Sequence, residues 1–583
     1  MTMGRKGGLA AAAVLCAMAP TGAMACGGLF CNNSTPVVQQ GERILFAVDG
    51  DHTVMDVRIS YGGPPQEFGW LLPVPRGVET SLGSELAFQM LDNFQTRFQP
   101  TYEQVVQCPN DGDSSGAGGS SAGPEGEPDA GVSNGVDVLS REAVGPYDRA
   151  ILDARSVEDL RAWLDDNGYQ IPATVDDTLR PYVDAGAVFV AVKLLPGQDT
   201  GDLVPLSLRF PGDAPTIPIV PTSVAADPDM GIVVSVLGAS RAIPVNYQHV
   251  RINEAAIDWV NYGANFMDVV AQAVDEAGGH AFTTEFAGAI PPNSFPLDAY
   301  NPTDADLAAV ASVTTLGELA EVTCGINTFQ NRDPDGMRVL TGVVTPCAGE
   351  ELGSPSCPNT LGCLGWVHGT EADPIDGAAL AAHLRDEVIA PRERLTALFA
   401  AQPYLTRFYS TMNPEEMSED PSFAFNPDLP AVSNVHTASI QFYQCTPDGY
   451  TDYQNVRVVL NDGLVIPVGP EGSTKAIRRD RGMTLQKGNE PGAQVIEVLP
   501  LSGPPVIVTD NTAQIAAQNF HLPDGPAPDA GPRQYGDYVA PEDNGGGASG
   551  CFCAISNTPP AAFDALLAGL LGLSGALVRR RRR

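Results

Sequence analysis

Positive charge is scarce in this sequence of 583 residues, which contains 33 Lys and Arg against 70 Asp and Glu and carries a formal net charge of −37. A negative field of this size repels phosphate groups, so the composition excludes nucleic acid as a partner. Histidine is scarce as well, with seven residues in the chain. Because the sequence has neither CxxC pairs nor clustered histidines, the ligand pattern of a zinc site is missing.

The motifs of several common enzyme classes are also missing. The sequence has no HExxH, no P-loop and no dinucleotide-binding glycine motif. The pattern G-x-S-x-G occurs at residues 112–116 and 119–123, but a nucleophile elbow needs a strand–turn–helix, and this segment is low in complexity. His280 with Glu285 forms a possible acid/base pair, and His368 stands alone near Trp366; a structural role is the simpler interpretation of each.

The first 25 residues have the pattern of a signal peptide. Two basic residues and an apolar run at 9–19 precede an A-x-A site that ends at Ala25, where signal peptidase is expected to cleave. The mature chain then begins at Cys26, and the short spacing to Cys31 predicts a disulfide between the two. A lipid on Cys26 is the alternative, although the residue three positions before it is alanine where a lipoprotein signal normally has leucine.

The other end of the chain predicts one transmembrane helix. Residues 561–578 are apolar apart from Asp564, and five arginines follow at 579–583. Eighteen residues in a helix span about 27 Å, enough to cross a hydrocarbon core. The arginines should stay cytoplasmic, which places the preceding chain outside the inner membrane. A buried C-terminal helix is the alternative, but such helices rarely end in five arginines after a linker rich in Pro, Gly and Asp, here at 522–550.

The tail resembles a known sorting signal. A Gly-Cys motif with Cys551 and Cys553, a short spacer, a hydrophobic helix and an arginine cluster are together similar to the MYXO-CTERM signal of myxobacteria and their relatives, here residues 551–583. The resemblance implies cleavage near these cysteines by a sorting protease and transfer to the cell surface, with membrane attachment through the helix or a lipid. Without residues 1–25 and 551–583 the chain has 26 basic and 69 acidic residues, a net charge of −43.

Residues 26–521 form the predicted ectodomain, for which we expect an α+β fold stabilised by disulfides. Gly and Pro are abundant, with 61 and 50 residues, which favours short strands and loops. Mostly antiparallel strands are expected before and after a helical section at 303–400, and residues 110–135 should form a disordered loop. The period-two patterns and turn signals predict strands at 42–48, 53–61, 68–75, 187–195, 203–210, 217–220, 231–237, 437–443, 456–460, 464–468, 495–499 and 505–508.

Helical patterns mark the remaining segments. A helix is expected at 84–94, another after the N-cap Ser156, and a third at 253–277 that Gly263 interrupts. In the helical section we expect a helix at 378–389 and a break at Pro391 before a last helix at 394–400.

Cysteines and carboxylates supply the remaining candidate sites. In an exported protein cysteines form disulfides, and proximity suggests a Cys357–Cys363 bond, while the other pairings stay open. Asn331, Asp333 and Asp335 fit the first half of a calcium loop, but its twelfth position is a glycine where a bidentate Glu is needed. An exposed turn is therefore the simpler interpretation, and we expect no cofactor, with calcium as the alternative.

Several segments resemble one bacterial family. The residues that carry the resemblance lie in the segments 26–31, 42–44, 68–75, 259–262, 275–282, 404–409 and 425–430, with Phe68-Gly69-Trp70-Leu71-Leu72-Pro73-Val74-Pro75 as the longest uninterrupted apolar one. Together they are similar to the family called domain of unknown function 2330. This resemblance implies an exported bacterial envelope protein, and it transfers no catalytic residue.

Two classes of function follow from these observations. The first is a non-catalytic surface protein, structural or adhesive, whose ectodomain binds a partner or a polymer. The second is a secreted hydrolase whose site is assembled from scattered residues. A cleft that gathers His, Asp and Glu side chains is required by the second class and not expected for the first. Because no credible catalytic motif occurs, the sequence favours the first class.

Overall fold

The computed structural model describes residues 38–62, 68–108, 137–169, 175–195, 203–330, 333–347, 359–453, 455–468 and 491–517. No helix in these ranges is long and apolar enough to span a membrane. Several predicted features lie outside the described residues: the signal peptide with Ala25, the Cys26–Cys31 pair, the loop 110–135, Asn331, Cys357, the side chain of Cys363, the linker 522–550, and the sorting signal with Cys551, Cys553 and its membrane helix 561–578.

A ten-stranded sheet forms the centre of the fold. In spatial order its strands are β24 (Val506–Asp510), β23 (Ala493–Val498), β13 (Gln248–Ile252), β14 (Ala281–Ala289), β17 (Tyr404–Met412), β11 (Ala226–Gly238), β1 (Val38–Asp49), β2 (His52–Gly62), β10 (Leu206–Pro211) and β4 (Glu79–Leu82). The β1–β11 and β13–β14 neighbours are parallel, whereas the other neighbours in this sheet are antiparallel. The predicted α+β class with mostly antiparallel strands is confirmed.

A four-stranded antiparallel sheet packs on one face of the large sheet. Its strands are β3 (Gly69–Val74), β9 (Val188–Leu194), β8 (Tyr147–Asp153) and β7 (Asp137–Val144). Phe46 and Phe408 of the large sheet share a core with Trp70 and Val190 of the small one. Two helices, α2 (Val157–Asp166) and α3 (Val175–Asp184), cover the outer face of the small sheet. β3, which contains Pro73, lies at the edge of this sheet, where a residue without an N–H is tolerated.

Helices cover the opposite face of the large sheet. Leu45, Leu237 and Leu405 share a core with residues of the first and last of these helices. These two helices are α1 (Glu85–Leu91) and α10 (Ala390–Ala401). The helices α5 (Asp304–Ala311), α6 (Leu316–Thr323), α7 (Asn327–Gln330), α8 (Pro334–Thr341) and α9 (Gly377–Leu384) pack together in a core of their own. The predicted helical section in the middle of the chain is confirmed.

A second four-stranded sheet forms a lobe with helix α4 (Phe266–Glu276). Its strands are β22 (Val465–Val468), β21 (Val456–Leu460), β20 (Ala438–Phe442) and β6 (Thr101–Gln104), of which β6 is an edge strand parallel to β20. β21 and β22, both at predicted strand positions, form an antiparallel hairpin with its turn at residues 461–463. The remaining short elements are β5 (Arg97–Phe98), β12 (Ala242–Pro244), β15 (Asn359–Leu361), β16 (Gly365–Val367), β18 (Phe423–Phe425), β19 (Val435–His436) and α11 (Thr512–Ala516).

Three local predictions need correction. Residues 217–220 are not a strand, because the chain turns into a 3₁₀ helix at Val220–Val224. The predicted helix at 253–277 is α4 preceded by two 3₁₀ turns. Pro391 does not break its helix. A π-helical turn at Arg385–Ile389 lets the Ala390 N–H donate to the carbonyl of Arg385, and this wider turn accommodates the following proline, which has no N–H to donate.

Glu42 of β1 is a buried carboxyl group in this fold. Glu42 is only 3% exposed, and burial raises the pKa of its carboxyl group from 4.5 to about 7. Gln39 Nε2 donates to Glu42 Oε2 over 3.3 Å, while Gln39 Oε1 has no hydrogen-bond partner in the described part of the chain. A protonated Glu42 supplies an O–H donor next to this acceptor, so the neutral form suits the site better.

We therefore expect Glu42→Gln to stabilise the protein at high pH. Since the pKa is raised in the folded state, the contribution of Glu42 to stability is complete below about pH 4.5 and is lost as the pH rises toward 7. The amide does not titrate. The free energy of unfolding of the variant should therefore exceed that of the wild type by up to about 3 kcal/mol at pH 8 and by little at pH 4.5. Urea unfolding at both pH values measures this gain. The exposed Glu79→Gln is the control, and an equal gain at both pH values would contradict the raised pKa.

Candidate functional site

His280 and Glu285, the possible acid/base pair, do not meet in the structure. His280 precedes β14, where its Nε2 lies 3.0 Å from Ser418 Oγ, whereas Glu285 is buried within the strand. Glu285 accepts hydrogen bonds from Arg407 Nε over 2.6 Å and from the Thr96 N–H over 3.0 Å. Because five residues of extended chain span about 16 Å, the two side chains cannot share a proton. The acid/base alternative for His280 and Glu285 is therefore excluded by their positions.

The calcium candidates Asp333 and Asp335 bind an arginine, and at 2% and 4% exposure they do not lie in the exposed turn that the sequence favoured. Arg392 of α10 is fully buried, and its Nη2 donates to Asp333 Oδ1 and, over 2.7 Å, to Asp335 Oδ2. Asp335 also accepts hydrogen bonds from Ser84 Oγ over 2.6 Å and from the Glu85 N–H over 2.7 Å. The guanidinium thus supplies the positive charge that a calcium ion would bring to these carboxylates, and the cluster joins α8 and α10 to the start of α1.

The described ranges contain no group of three or more His, Cys, Asp and Glu side chains placed to hold a metal ion. His368, which the sequence left as an isolated candidate, follows β16, and its N–H donates to the carbonyl of Thr345 over 2.9 Å. This places the histidine in the small β15–β16 hairpin, in the helical section.

A buried histidine that the sequence did not single out joins three strands of the large sheet. His249 of β13 has its Nδ1 3.0 Å from Glu497 Oε1 of β23 and its Nε2 2.9 Å from Thr284 Oγ1 of β14. Arg241 Nη2 donates to the same hydroxyl over 3.3 Å. This order of carboxylate, imidazole and hydroxyl is the one found in nucleophilic catalysis.

The protonation of this group follows from its surroundings. Burial lowers the pKa of His249. For Glu497 burial is the largest single effect and opposes ionisation, but the hydrogen bond with His249 and the nearby charges of Arg251 and Arg241 together outweigh it and lower the pKa. A neutral imidazole then donates from Nδ1 to the ionised Glu497 and accepts at Nε2 from the Thr284 hydroxyl, which in turn accepts from Arg241. In this arrangement every N–H or O–H donor of the group faces an acceptor.

Access to the group is restricted. His249, Thr284 and Glu497 are 4%, 8% and 5% exposed, and the segment 426–430 is bonded to Arg241, whose Nη1 donates to the Pro430 carbonyl over 3.0 Å. A nucleophilic hydroxyl must reach its substrate, which this burial opposes. The three residues are distant in sequence, and no local pattern could have brought them together. In the folded protein they act as a hydrogen-bonded link across three strands.

Exposed aromatic side chains gather at the edge of the lobe. Tyr102 of β6, Tyr262 and Tyr453 are 52%, 62% and 67% exposed, and Phe442 of β20 lies between two of them. The Tyr102 and Phe442 rings are nearly parallel, at 13° and 6.2 Å between centroids, and Tyr453 meets Phe442 edge-on at 5.0 Å. The Tyr102 hydroxyl donates to that of Tyr262 over 3.3 Å. We call these four residues the tyrosine surface.

The tyrosine surface is held by covalent and packing constraints. The Cys108–Cys445 disulfide joins the segment after β6 to the segment after β20, so it fixes the strands that carry Tyr102 and Phe442. Phe442 itself packs on the buried core of the lobe. Tyr262 has a left-handed backbone with φ 53°, a conformation that is costly for a bulky residue and often marks functional positions. Burial and the bond with Tyr262 raise the pKa of Tyr102 to about 12, so this hydroxyl stays neutral.

Cysteines elsewhere in the described part of the chain are also in disulfides. Cys324 at the end of α6 and Cys347 after α8 are both disulfide-bonded. The predicted use of cysteines for disulfides therefore agrees with the described residues. The particular Cys357–Cys363 pairing stays a prediction, because it falls outside them.

The chain belongs to a family of bacterial proteins. The family model described as "Uncharacterized protein conserved in bacteria (DUF2330)" matches residues 20–424, which is more than half of the chain. The match includes Tyr102 and Tyr262 of the tyrosine surface and ends before Phe442 and Tyr453. A search of curated proteins and a search of solved structures gave no match.

Proposed function

We propose that this protein is an exported, surface-anchored binding protein of the bacterial cell envelope, without catalytic activity. Its cysteines support export, because disulfides persist in oxidising compartments and are rare in the cytosol. Cys108 is bonded to Cys445, and Cys324 and Cys347 are also in disulfides. The signal-peptide pattern that ends at Ala25 agrees with this location, with signal peptidase as the processing enzyme.

The proposed anchor is the C-terminal sorting signal. The helix 561–578 would hold the protein in the inner membrane until a sorting protease cleaves near Cys551 and Cys553. After transfer to the cell surface, a lipid would attach it to the membrane. The acidic linker 522–550 would then separate the ectodomain from the membrane. This anchoring rests on the resemblance of the tail to the MYXO-CTERM signal and on its apolar run followed by arginines.

The tyrosine surface is the observation that carries the binding function. Exposed aromatic patches on a folded domain mark interaction sites, and Tyr supplies a large contact area with a polar tip at low entropic cost. The disulfide and the packing of Phe442 hold the rings in place before a ligand arrives, which lowers the entropic cost of binding. The function needs no cofactor, and a net charge of −43 on residues 26–550 disfavours nucleic acid.

Localisation and processing can be tested together in the native bacterium. We expect intact mass to place the C-terminus of the mature protein near Cys551, and protease added to whole cells to degrade the ectodomain. A Cys551→Ala variant should keep its arginine tail and accumulate in the inner membrane, whereas the neighbouring Ser549→Ala should be processed normally. A full-length tail in the wild type, retained in the inner membrane, would rule out sorting to the surface and leave a simple membrane anchor.

A secreted hydrolase is the second candidate, and the order Glu497–His249–Thr284 is the observation that favours it. The burial of Thr284 opposes it. Hydrolysis of a panel of aryl esters and peptides should therefore be the same for the wild type and for Thr284→Val, which removes the hydroxyl and keeps the shape. Thr283→Val, on the other face of β14, is the control. Turnover by the wild type that disappears only in Thr284→Val would show that the protein is a hydrolase and not a non-catalytic binding protein.

A further inference from the structure

We propose that the tyrosine surface binds an uncharged polysaccharide. This inference rests on the proposed function, because it names the ligand class of the same surface. It follows from the arrangement of the rings, the polar groups beside them, and the charge of the ectodomain.

The rings offer flat apolar area at the protein surface. Tyr102 stacks on Phe442 with an interplanar angle of 13°, and Phe442 is anchored on the core of the lobe. Phe442 thus covers one face of the Tyr102 ring, while 52% of Tyr102 stays exposed. Sugar rings present faces of C–H groups, and such faces pack on the electron-rich faces of aromatic rings. Tyr453 and Tyr262 extend this area on either side of the Tyr102–Phe442 stack.

Uncharged polar groups accompany the rings. The tyrosine side chains carry hydroxyls, each a donor and an acceptor. Gln104 lies two residues from Tyr102 on the same face of β6, and its Nε2 donates to Thr451 Oγ1 over 2.8 Å. Tyr450, which is 52% exposed, adds another hydroxyl in the turn between Cys445 and Thr451. Hydroxyl-rich ligands need this combination of apolar faces and neutral hydrogen-bonding groups.

Charge separates the candidate ligands. Residues 26–550, the ectodomain with its linker, include 69 acidic and 26 basic residues, so polyanions such as nucleic acids and sulfated or phosphorylated glycans are repelled. Protein partners also use tyrosine, but they bury it in an interface centre that is more apolar than its rim. Here the exposed residues that define the surface are tyrosines with hydroxyl groups in reach of solvent. An uncharged polysaccharide meets both conditions.

Affinity electrophoresis and titration calorimetry of the purified full-length ectodomain test the inference, with a soluble β-glucan, a xylan and amylose as probes and heparin as the polyanion. We expect at least one neutral polymer to bind, and Tyr102→Ala and Tyr453→Ala each to weaken that binding by about tenfold. Tyr102→Phe keeps the ring and should lose less. Leu501→Ala changes a residue that is 62% exposed in the β23–β24 turn and should bind as the wild type does. Circular dichroism checks that each variant is folded.

The outcomes are distinct. Binding of a neutral polymer that fails in the two alanine variants and survives in Leu501→Ala supports the inference. Binding that the tyrosine variants leave unchanged overturns this site, and preference for heparin or for a protein overturns the ligand class. If none of the three neutral polymers binds a correctly folded protein, the inference is wrong. Surface localisation is measured in a separate experiment, so a failure of polysaccharide binding would leave the proposed export and anchoring untouched.

Discussion

Replacing Arg392 by Met should cost about 3–5 kcal/mol of stability, the largest loss we expect from a single substitution outside the hydrophobic cores. The side chain is fully buried between Asp333 and Asp335, and its removal leaves two carboxylates in a dry site without their counter-charge. Burial already raises the pKa of Asp333 in the wild type. Without the guanidinium that pKa should rise further, so the loss should be larger at pH 8 than at pH 5, where protonation relieves the site. Urea unfolding at the two pH values measures both effects.

Arg385→Met is the matched control for this substitution. Arg385 is 57% exposed and lies 3.9 Å from a fully exposed Asp304, so its loss should change stability by less than about 0.5 kcal/mol. Arg392→Lys keeps the charge but not the two-armed geometry, and it should fall between the wild type and Arg392→Met. This variant also gives a measurable result if the methionine variant does not fold. Equal losses for Arg385→Met and Arg392→Met would show that the buried cluster contributes little.

Removing the Cys108–Cys445 disulfide with two serines should cost about 2–5 kcal/mol. The bond closes a loop with a sequence separation of 337 residues, so it restricts the unfolded chain strongly. In the folded protein it holds the edge strand β6 against β20. We therefore expect both a lower free energy of unfolding and faster hydrogen exchange at Val105, whose N–H donates to the Phe442 carbonyl over 3.0 Å.

Thr446→Ser, next to Cys445 in the same turn, is the control for the double variant. It keeps the hydroxyl that accepts the Tyr450 N–H and should change stability by less than about 0.5 kcal/mol. If the double serine variant unfolds at the same urea concentration as this control, the bond does not stabilise the folded state. Unchanged exchange at Val105 would show in addition that β6 does not depend on the disulfide for its place.

Local signals predicted a large part of the fold. The turn between residues 48 and 53 and the alternation that follows it predicted the β1–β2 hairpin, which pairs over its full length. Ser156 accepts a hydrogen bond from the Asp159 N–H as the N-cap of α2, and residues 461–463 form the predicted hairpin turn. Helix caps and hairpin turns depend on the backbone preferences of a few neighbouring residues. A single sequence contains all the information that these local features need.

The central strands β14 and β17 were not predicted, and their buried polar residues explain why. β17 carries Thr406, Arg407 and Ser410 in buried positions, so no clean alternation of apolar and polar residues marks it. Each of these side chains has its partner elsewhere in the chain; Arg407, for example, bonds Glu285 of β14 over 2.6 Å. Partners more than a hundred residues apart cannot be paired from one sequence.

The sequence by itself determined the acidic character, the α+β class and the hairpins, because composition and short-range periodicity suffice for them. Only the tertiary structure decided that Asp333 and Asp335 enclose Arg392, that His249 connects Glu497 to Thr284, and that Tyr102, Tyr262, Phe442 and Tyr453 form one surface. Each of these groups draws side chains from distant segments, and the packing of sheets and helices determines which segments meet. Contacts of that range are specified by the whole fold, and no local pattern records them.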